Sequence, residues 1–265
     1  MISIEEIKLL IEKLEKVDKN DLQKLLDQNL KLLKGFALAV DAYNQEEIQR
    51  LDKTVKWFRL DLEQKRNRPV VDDLLYRQIV TTIYKFARTD RFNSLEIGPG
   101  TGMFSKDLRA WKNNFYLDVL PEVEDKIRRR FKPKHQKYLK FFTTDKTDCA
   151  EIPNNSCNFV FSWDTFVFFT QEHIKQYLKD INRVLIDGSY CMINYADCHY
   201  DYDLNEAKRG YWNYNTKTAM ENMIKEEGYE VIEMKQFRPG ANYAVFQKPG
   251  NANPVIYKDS EISLD

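Results

Sequence analysis

A glycine-rich turn near residue 100 constrains the fold of this chain more than any other segment. The apolar run Ser94-Leu95-Glu96-Ile97 predicts a short β-strand, and Gly98-Pro99-Gly100-Thr101-Gly102 follows it directly. Residues 103–108 then show a pattern that predicts a helix. Strand, glycine turn and helix in this order let bare backbone approach a nucleotide, with helix N–H groups facing the ligand. The dinucleotide fingerprint G-x-G-x-x-G is excluded, because position 103 is Met.

Strand and helix patterns alternate from this turn to residue 248. Further strands are predicted over residues 115–119, 141–145, 158–164, 190–195, 229–237 and 243–248, with helices over 173–185 and 216–227. The fourth strand, 158–164, is almost continuously apolar, as expected of a strand buried on both faces. The alternation predicts an α/β fold, in which seven strands form a mostly parallel sheet with helices on both faces.

The run E-x-G-x-G-x-G resembles motif I of the class I S-adenosylmethionine-dependent methyltransferases. Asp118 and Asp145 match the family's ribose and adenine acids, and residues 182–188 are similar to its R-V-L-x-x-G-G helix end, with Ser189 in place of the second glycine. The resemblance covers residues 92–248 and implies a Rossmann-like methyltransferase sheet with S-adenosylmethionine as cofactor. It implies these cofactor-binding residues: Glu96, Gly98, Pro99, Gly100, Thr101, Gly102, Asp118, Val119, Asp145 and Ser162.

The part of the chain before the sheet predicts an α-helical N-terminal extension over residues 1–88. Residues 1–87 contain one glycine and one proline, and their apolar residues recur at helical spacing. We expect a methyltransferase domain over residues 89–248 and a C-terminal tail over 249–265. Two roles stay open for the extension: a cap or lid that forms one wall of the acceptor pocket, or a surface for a homodimer.

Candidate catalytic residues follow the fourth and fifth strands. Methyl transfer to a hydroxyl needs an aligned acceptor and a group that removes its proton. Open α/β sheets bind ligands at the carboxyl ends of their strands, where this sequence offers Asp164, Asp197 and His199. Some metal-dependent O-methyltransferases place magnesium ligands at positions like Asp164 and Asp197. Acids after the fourth strand also occur in metal-free members, so no metal is predicted.

Composition and charge narrow the class of acceptor. Lys+Arg and Asp+Glu number 41 each, which gives no overall attraction to nucleic acid, and the basic run 126–140 is interpreted as a solvated helix face. The chain lacks the D/N/S-P-P-Y/F run of enzymes that methylate amino groups of DNA bases. No stretch is apolar enough to span a membrane, and four cysteines without a CxxC pair indicate a reduced, cytoplasmic protein.

We therefore expect a methyltransferase that modifies a hydroxyl of a small molecule or glycan. N-methylation of a small amine is the first alternative, because an amine with an accessible lone pair needs no catalytic base. The second alternative is a non-catalytic, cofactor-binding subunit that uses its helical extension to contact a partner.

Overall fold

The computed structural model describes residues 71–87, 93–108, 112–144 and 147–250, all within the larger of the two compact units of the chain, residues 53–265. The predictions for residues 1–70, for Asp145 and for most of the tail lie outside this part. The helices are α1 Asp73–Ala87, α2 Val123–Arg128, α3 Pro133–Gln136, α4 Gln171–Val184, α5 Asp201–Lys208 and α6 Lys217–Glu226. The strands are β1 Asn93–Ile97, β2 Asn113–Asp118, β3 Leu139–Thr143, β4 Cys157–Ser162, β5 Leu185–Tyr195, β6 Glu230–Gln236 and β7 Asn242–Gln247.

The seven strands form one sheet in the order β3-β2-β1-β4-β5-β7-β6. The first five are parallel, and β7 runs antiparallel to both of its neighbours, β5 and β6. The predicted α/β fold with a mostly parallel, seven-stranded sheet is confirmed. Strands β1 and β4 lie side by side, but the chain continues from β1 to β2 on one side of this pair and from β4 to β5 on the other. A crevice therefore opens at the carboxyl ends of β1 and β4.

Helices cover the sheet on both faces, and alternate residues of each central strand point into separate cores. Val160 of β4 packs with α4 and α6 on one face, whereas Phe159 and Phe161 pack with α1 on the other. Leu75, Ile79 and Ile83 of α1 are buried, as their spacing predicted. The described end of the predicted extension is therefore packed on the sheet.

Three local predictions differ from the structure. Residues 103–108 form successive turns rather than a regular helix, since Ser105 points inward to Glu96 and the left-handed Gly102 precedes them. Strand β5 begins directly after α4, at Leu185, because the left-handed Gly188 lets the chain bend within the strand. The sequence predicts no helix over residues 201–208, which form α5. Among the described residues, no helix is long and apolar enough to cross a membrane.

Candidate active site

The glycine turn follows β1 at the crevice. The Gly98 N–H donates to the Leu117 carbonyl at 2.8 Å, and Gly98 and Gly100 have φ angles of +67° and +52°. A Cβ on Gly98 would lie 2.0 Å from Thr165 Oγ1, so this glycine is required by the close approach of the loop after β4. A Cβ on Gly100 would meet no atom within 4 Å. Its bare backbone therefore faces open space that a ligand can occupy.

Asp118, at the end of β2, faces the same turn. Its two carboxylate oxygens accept from the Gly100 N–H at 3.3 Å and from the Leu120 N–H at 3.0 Å. Burial raises the pKa of this carboxyl, and these backbone donors oppose the shift. The neighbouring Val119 is exposed. The structure thus brings the predicted ribose acid and the predicted glycine turn into direct contact.

Glu96 is buried behind the turn and accepts a 2.6 Å hydrogen bond from Ser105 Oγ. Burial and, to a smaller extent, the charges of Asp107 and Asp118 raise its pKa to about 8, although the Ser105 hydrogen bond and the charge of Arg130 lower it. Three carboxyl groups therefore surround the glycine turn. The ionised carboxylates among them favour a cationic ligand.

Asp107 also connects the turn region to α1. Its carboxylate accepts from the Tyr76 hydroxyl at 2.7 Å and from the Tyr84 hydroxyl at 3.2 Å. Burial and this carboxylate both raise the pKa of Tyr76. Helix α1 thereby holds residues 101–108 in place.

Ser162 and Thr165 use their hydroxyl groups within the protein. Ser162, predicted to contact the cofactor, is buried and donates to the Ile97 carbonyl at 2.7 Å, because it lies on β4 beside β1. Thr165, at the carboxyl end of the fourth strand and given no role from the sequence, has its hydroxyl within 3.5 Å of the carbonyls of Ile97 and Gly98. Both residues position the glycine turn, and no local pattern in the sequence marks Thr165.

Asp164 follows β4 in a left-handed conformation, with φ +56°. Its N–H donates to Asn194 Oδ1 at 2.7 Å, and Asn194 Nδ2 donates back to Asp164 Oδ1 at 3.3 Å. Burial raises the pKa of this carboxyl to about 6, although the hydrogen bond from Asn194 and the positive charge of Arg238 both lower it. The reciprocal pair fixes a carboxyl group between the ends of β4 and β5, and its pKa suits proton transfer near neutral pH.

Asp197 and His199 form a second pair after β5. Asp197 is buried, and its Oδ1 lies 2.9 Å from His199 Nδ1 and accepts the His199 N–H at 3.3 Å. The His199 side chain is 65% exposed. The backbone N–H of Asp197 donates to Asp203 on α5 at 2.7 Å. Within the described ranges, no group of three or more His, Cys, Asp or Glu side chains could hold a metal ion.

The basic run of residues 126–140 lies on α2, α3 and the turns beside them. Most of its cationic side chains are exposed, among them Lys132, Lys134 and Lys137. Arg128 pairs with Glu124, and Arg130 donates to the Thr101 carbonyl at 2.5 Å. Arg130 therefore supports the outer side of the glycine turn.

Comparison with known proteins places a methyltransferase domain on this part of the fold. Residues 95–193, from β1 to β5, match the family model of a methyltransferase domain. None of the curated proteins matches the chain.

Solved methyltransferase structures share the fold at low sequence identity. The N-methyltransferase NodS from Bradyrhizobium japonicum WM9, in complex with S-adenosyl-L-homocysteine, is 16% identical with a TM-score of 0.56, over 72% of this chain and 97% of that one. The complex between the Haloferax volcanii Trm112 methyltransferase activator and a putative methyltransferase contains a chain that is 13% identical with a TM-score of 0.57, over 76% of this chain and 98% of that one. An O-methyltransferase family protein from Burkholderia thailandensis is 11% identical with a TM-score of 0.54, over 66% and 55%.

Proposed function

We propose that this chain, a class I S-adenosylmethionine-dependent methyltransferase, transfers its methyl group to a hydroxyl of a small molecule or glycan, with Asp164 as the general base. The observation that carries the proposal is the Asp164–Asn194 pair. It holds a carboxyl group of raised pKa at the carboxyl end of β4, beside the glycine turn.

The residues around the glycine turn fit the cofactor. When bound, S-adenosylmethionine supplies a positively charged sulfonium whose methyl group is open to nucleophilic attack. We propose that the bare backbone at Gly100 receives it, that Asp118 accepts from its ribose hydroxyls, and that Asp118 and Asp107 contribute negative charge. Glu96, which is protonated near neutral pH in the ligand-free protein, would add its charge only by releasing that proton when the cation binds. Asp145, outside the described residues, keeps its proposed contact with adenine on sequence grounds.

Asp164 would remove the acceptor proton. Among the described residues, no hydrogen-bond donor contacts its Oδ2, whereas Oδ1 is held by Asn194. As the acceptor oxygen bonds to the methyl carbon, its O–H proton passes to Asp164, and the electrons of the broken C–S bond stay on sulfur. With a pKa of about 6, the carboxyl is mostly ionised at pH 7.5 and more basic than an exposed aspartate.

His199 with Asp197 is the second candidate for the base. The buried Asp197 carboxylate would orient the exposed imidazole and stabilise its protonated form. An amine acceptor would need neither group, and the shared fold with NodS, an N-methyltransferase, keeps this alternative open. A third candidate function is that of a non-catalytic, cofactor-binding subunit that contacts a partner.

We also propose a cytoplasmic location and a homodimer for this protein. Cys149, Cys157, Cys191 and Cys198 are free thiols, which suits the reducing cytoplasm. The wall of the acceptor pocket and the homodimer surface are proposed for helices that lie outside the described residues.

The test measures release of S-adenosylhomocysteine from S-adenosylmethionine across a panel of hydroxyl and amine acceptors. For a hydroxyl acceptor, we expect Asp164→Asn to lower kcat about 10²- to 10⁴-fold, the usual contribution of one positioned base. Affinity for S-adenosylmethionine, measured by calorimetry, should change less than twofold. Asp187→Asn, at an exposed carboxyl near the start of β5 and outside the proposed site, is the matched control.

Three results would overturn the assignment. Full turnover of Asp164→Asn with a hydroxyl acceptor removes Asp164 as the base, and a large loss in His199→Ala alone transfers the role to the second pair. If only amines are methylated, and neither Asp164→Asn nor His199→Ala lowers the rate, the protein is an N-methyltransferase. Cofactor binding without turnover of any acceptor selects the non-catalytic alternative.

A further inference from the structure

Exposed aromatic side chains are concentrated in one segment after β5, residues 200–215, which we call the aromatic segment. Among the described residues, six large hydrophobic side chains are exposed, and four of them are tyrosines of this segment. These are Tyr200, Tyr202, Tyr211 and Tyr214, with exposed fractions of 44%, 50%, 60% and 57%. Exposed aromatic groups concentrated in this way indicate a binding surface rather than scattered surface residues.

The aromatic segment is fixed to the ends of the strands that carry the proposed acceptor site. Asn213 donates through its N–H to the Val167 carbonyl and through Nδ2 to the Phe168 carbonyl, both at 2.9 Å. The Asn215 carbonyl accepts from the Cys198 N–H at 2.9 Å. Tyr214, between these two asparagines, therefore sits on a backbone anchored to the turns after β4 and β5.

The first half of the segment is anchored by Asp203, which is fully buried. Its carboxylate accepts from the Asp197 N–H at 2.7 Å, the Gly240 N–H at 3.1 Å and Asn242 Nδ2 at 2.6 Å. The Tyr202 ring, one residue earlier, meets the Trp212 ring edge to face with a centroid distance of 5.8 Å. A Cβ on Gly240 would lie 2.5 Å from Tyr202 Cε1, so the ring also rests against bare backbone. The half-exposed Tyr202 ring is therefore preorganised.

The composition of the segment selects the chemistry of its ligand. Its 16 residues include five aromatic residues and eight polar or charged residues, but only two aliphatic residues, Leu204 and Ala207, of which Ala207 is buried. A fully apolar ligand calls for an enclosed pocket with aliphatic walls. Half-exposed rings among amide, carboxylate and guanidinium groups instead suit a ligand that has a flat C–H face and several hydroxyl groups.

We infer that the aromatic segment binds a sugar ring of a carbohydrate acceptor, stacked on tyrosine and hydrogen-bonded by the polar side chains around it. The inference rests on the proposed function and specifies its acceptor class. Burial raises the pKa of the Tyr202 hydroxyl, and the charges of Glu206, Asp203 and Asp164 add to this shift, so the ring lies in the neighbourhood of the proposed base. A stacked sugar would thus present a hydroxyl group in the neighbourhood of that carboxyl.

The test uses the full chain with S-adenosylhomocysteine on an array of defined oligosaccharides, and separately measures methyl transfer to the free oligosaccharides, catechol and a primary amine. We expect at least one oligosaccharide to bind and to accept methyl. The double variant Tyr211→Ala/Tyr214→Ala should weaken its binding and raise its KM at least tenfold, with kcat changed less than threefold. Tyr211→Phe/Tyr214→Phe should restore KM to within threefold, because the rings remain.

A third tyrosine variant and a control variant complete the test of the aromatic segment. Tyr202→Ala should also raise KM, and circular dichroism checks its fold because Tyr202 packs on Trp212 and Gly240. Leu74→Ala, at an exposed apolar residue of α1, should leave KM unchanged.

The outcomes separate this inference from the function on which it rests. Methyl transfer to catechol or the amine, with no oligosaccharide bound, overturns the carbohydrate assignment and leaves the methyltransferase activity intact. Oligosaccharide binding that the tyrosine variants do not affect overturns the role of the segment. Oligosaccharide binding that depends on the tyrosines, without methyl transfer, supports the aromatic segment and contradicts the proposed function.

Discussion

Gly98 and Gly100 differ in their surroundings, although both have left-handed backbone. An alanine at Gly98 would meet Thr165 as well as the strain of a positive φ, whereas an alanine at Gly100 would meet the strain alone. We expect Gly98→Ala to lower the free energy of unfolding by about 2–4 kcal/mol, from about 1 kcal/mol of backbone strain and 1–3 kcal/mol of overpacking. Gly100→Ala should lower the free energy of unfolding by only about 1 kcal/mol, because it adds backbone strain alone.

The effect of these two substitutions on cofactor binding should be reversed relative to the effect on folding. The methyl group of Gly100→Ala enters the open space where the cofactor is proposed to lie, so affinity for S-adenosylmethionine should fall at least tenfold in a protein that remains folded. Denaturant titration and calorimetry measure the two quantities. Equal loss of stability in both variants would contradict the assigned contact with Thr165, and unchanged affinity in Gly100→Ala would contradict the assigned cofactor position.

At the scale of single elements, α5 depends on contacts that are distant in sequence. Asp203 is buried and binds three donors, from Asp197, Gly240 and Asn242. We expect Asp203→Ala to lower the free energy of unfolding by about 2–4 kcal/mol, since it leaves buried donors without an acceptor. Hydrogen exchange should accelerate over residues 198–215 more than in the central strands.

Asp201→Ala provides the matched control for this prediction. Asp201 lies in the same first turn of α5 and is exposed, so its loss should change the free energy of unfolding by less than about 0.5 kcal/mol. Equal effects of the two alanine variants would show that helix charge, rather than the buried contacts of Asp203, stabilises α5.

The dependence on distant contacts also explains how far the sequence alone predicts this molecule. The strands and the longer helices follow from the spacing of apolar residues, because each element buries one or both faces. The glycine turn follows from a backbone conformation that few other residues adopt. Helix α5 has few apolar residues, and the partners of Thr165 and Asn194 lie about 30 to 68 residues away. No local pattern encodes such contacts.

For the catalytic candidates too, the sequence predicts their location but not their contacts. The rule that ligands bind at the carboxyl ends of parallel strands located Asp164, Asp197 and His199 at one edge of the sheet. It did not indicate that Asp164 pairs with Asn194 or that His199 is held by Asp197. Those pairings distinguish the candidates, and they arise only when β4 and β5 lie side by side.

At the scale of the whole molecule, equal numbers of acidic and basic residues leave the pH dependence of stability to a few buried groups. Burial raises the pKa of Glu96 from 4.5 to about 8, and that of Asp164 from 3.8 to about 6. Between pH 4.5 and 8, the folded protein therefore retains a proton on Glu96 that the unfolded chain has released. Stability falls as pH rises through this window, because the folded state binds more protons.

We expect the ligand-free protein to lose about 3–5 kcal/mol of unfolding free energy between pH 5 and pH 9 through Glu96, at about 1.4 kcal/mol per unit of pKa difference. Glu96→Gln keeps an acceptor for Ser105 and cannot ionise, so its stability should depend much less on pH. Denaturant titrations at pH 5, 6, 7, 8 and 9 measure both proteins, with Glu122→Gln at an exposed glutamate as the control. If Glu96→Gln loses stability with pH as steeply as the wild-type protein, Glu96 is ionised throughout the range, and the negative field around the glycine turn already carries its full charge before the cofactor binds.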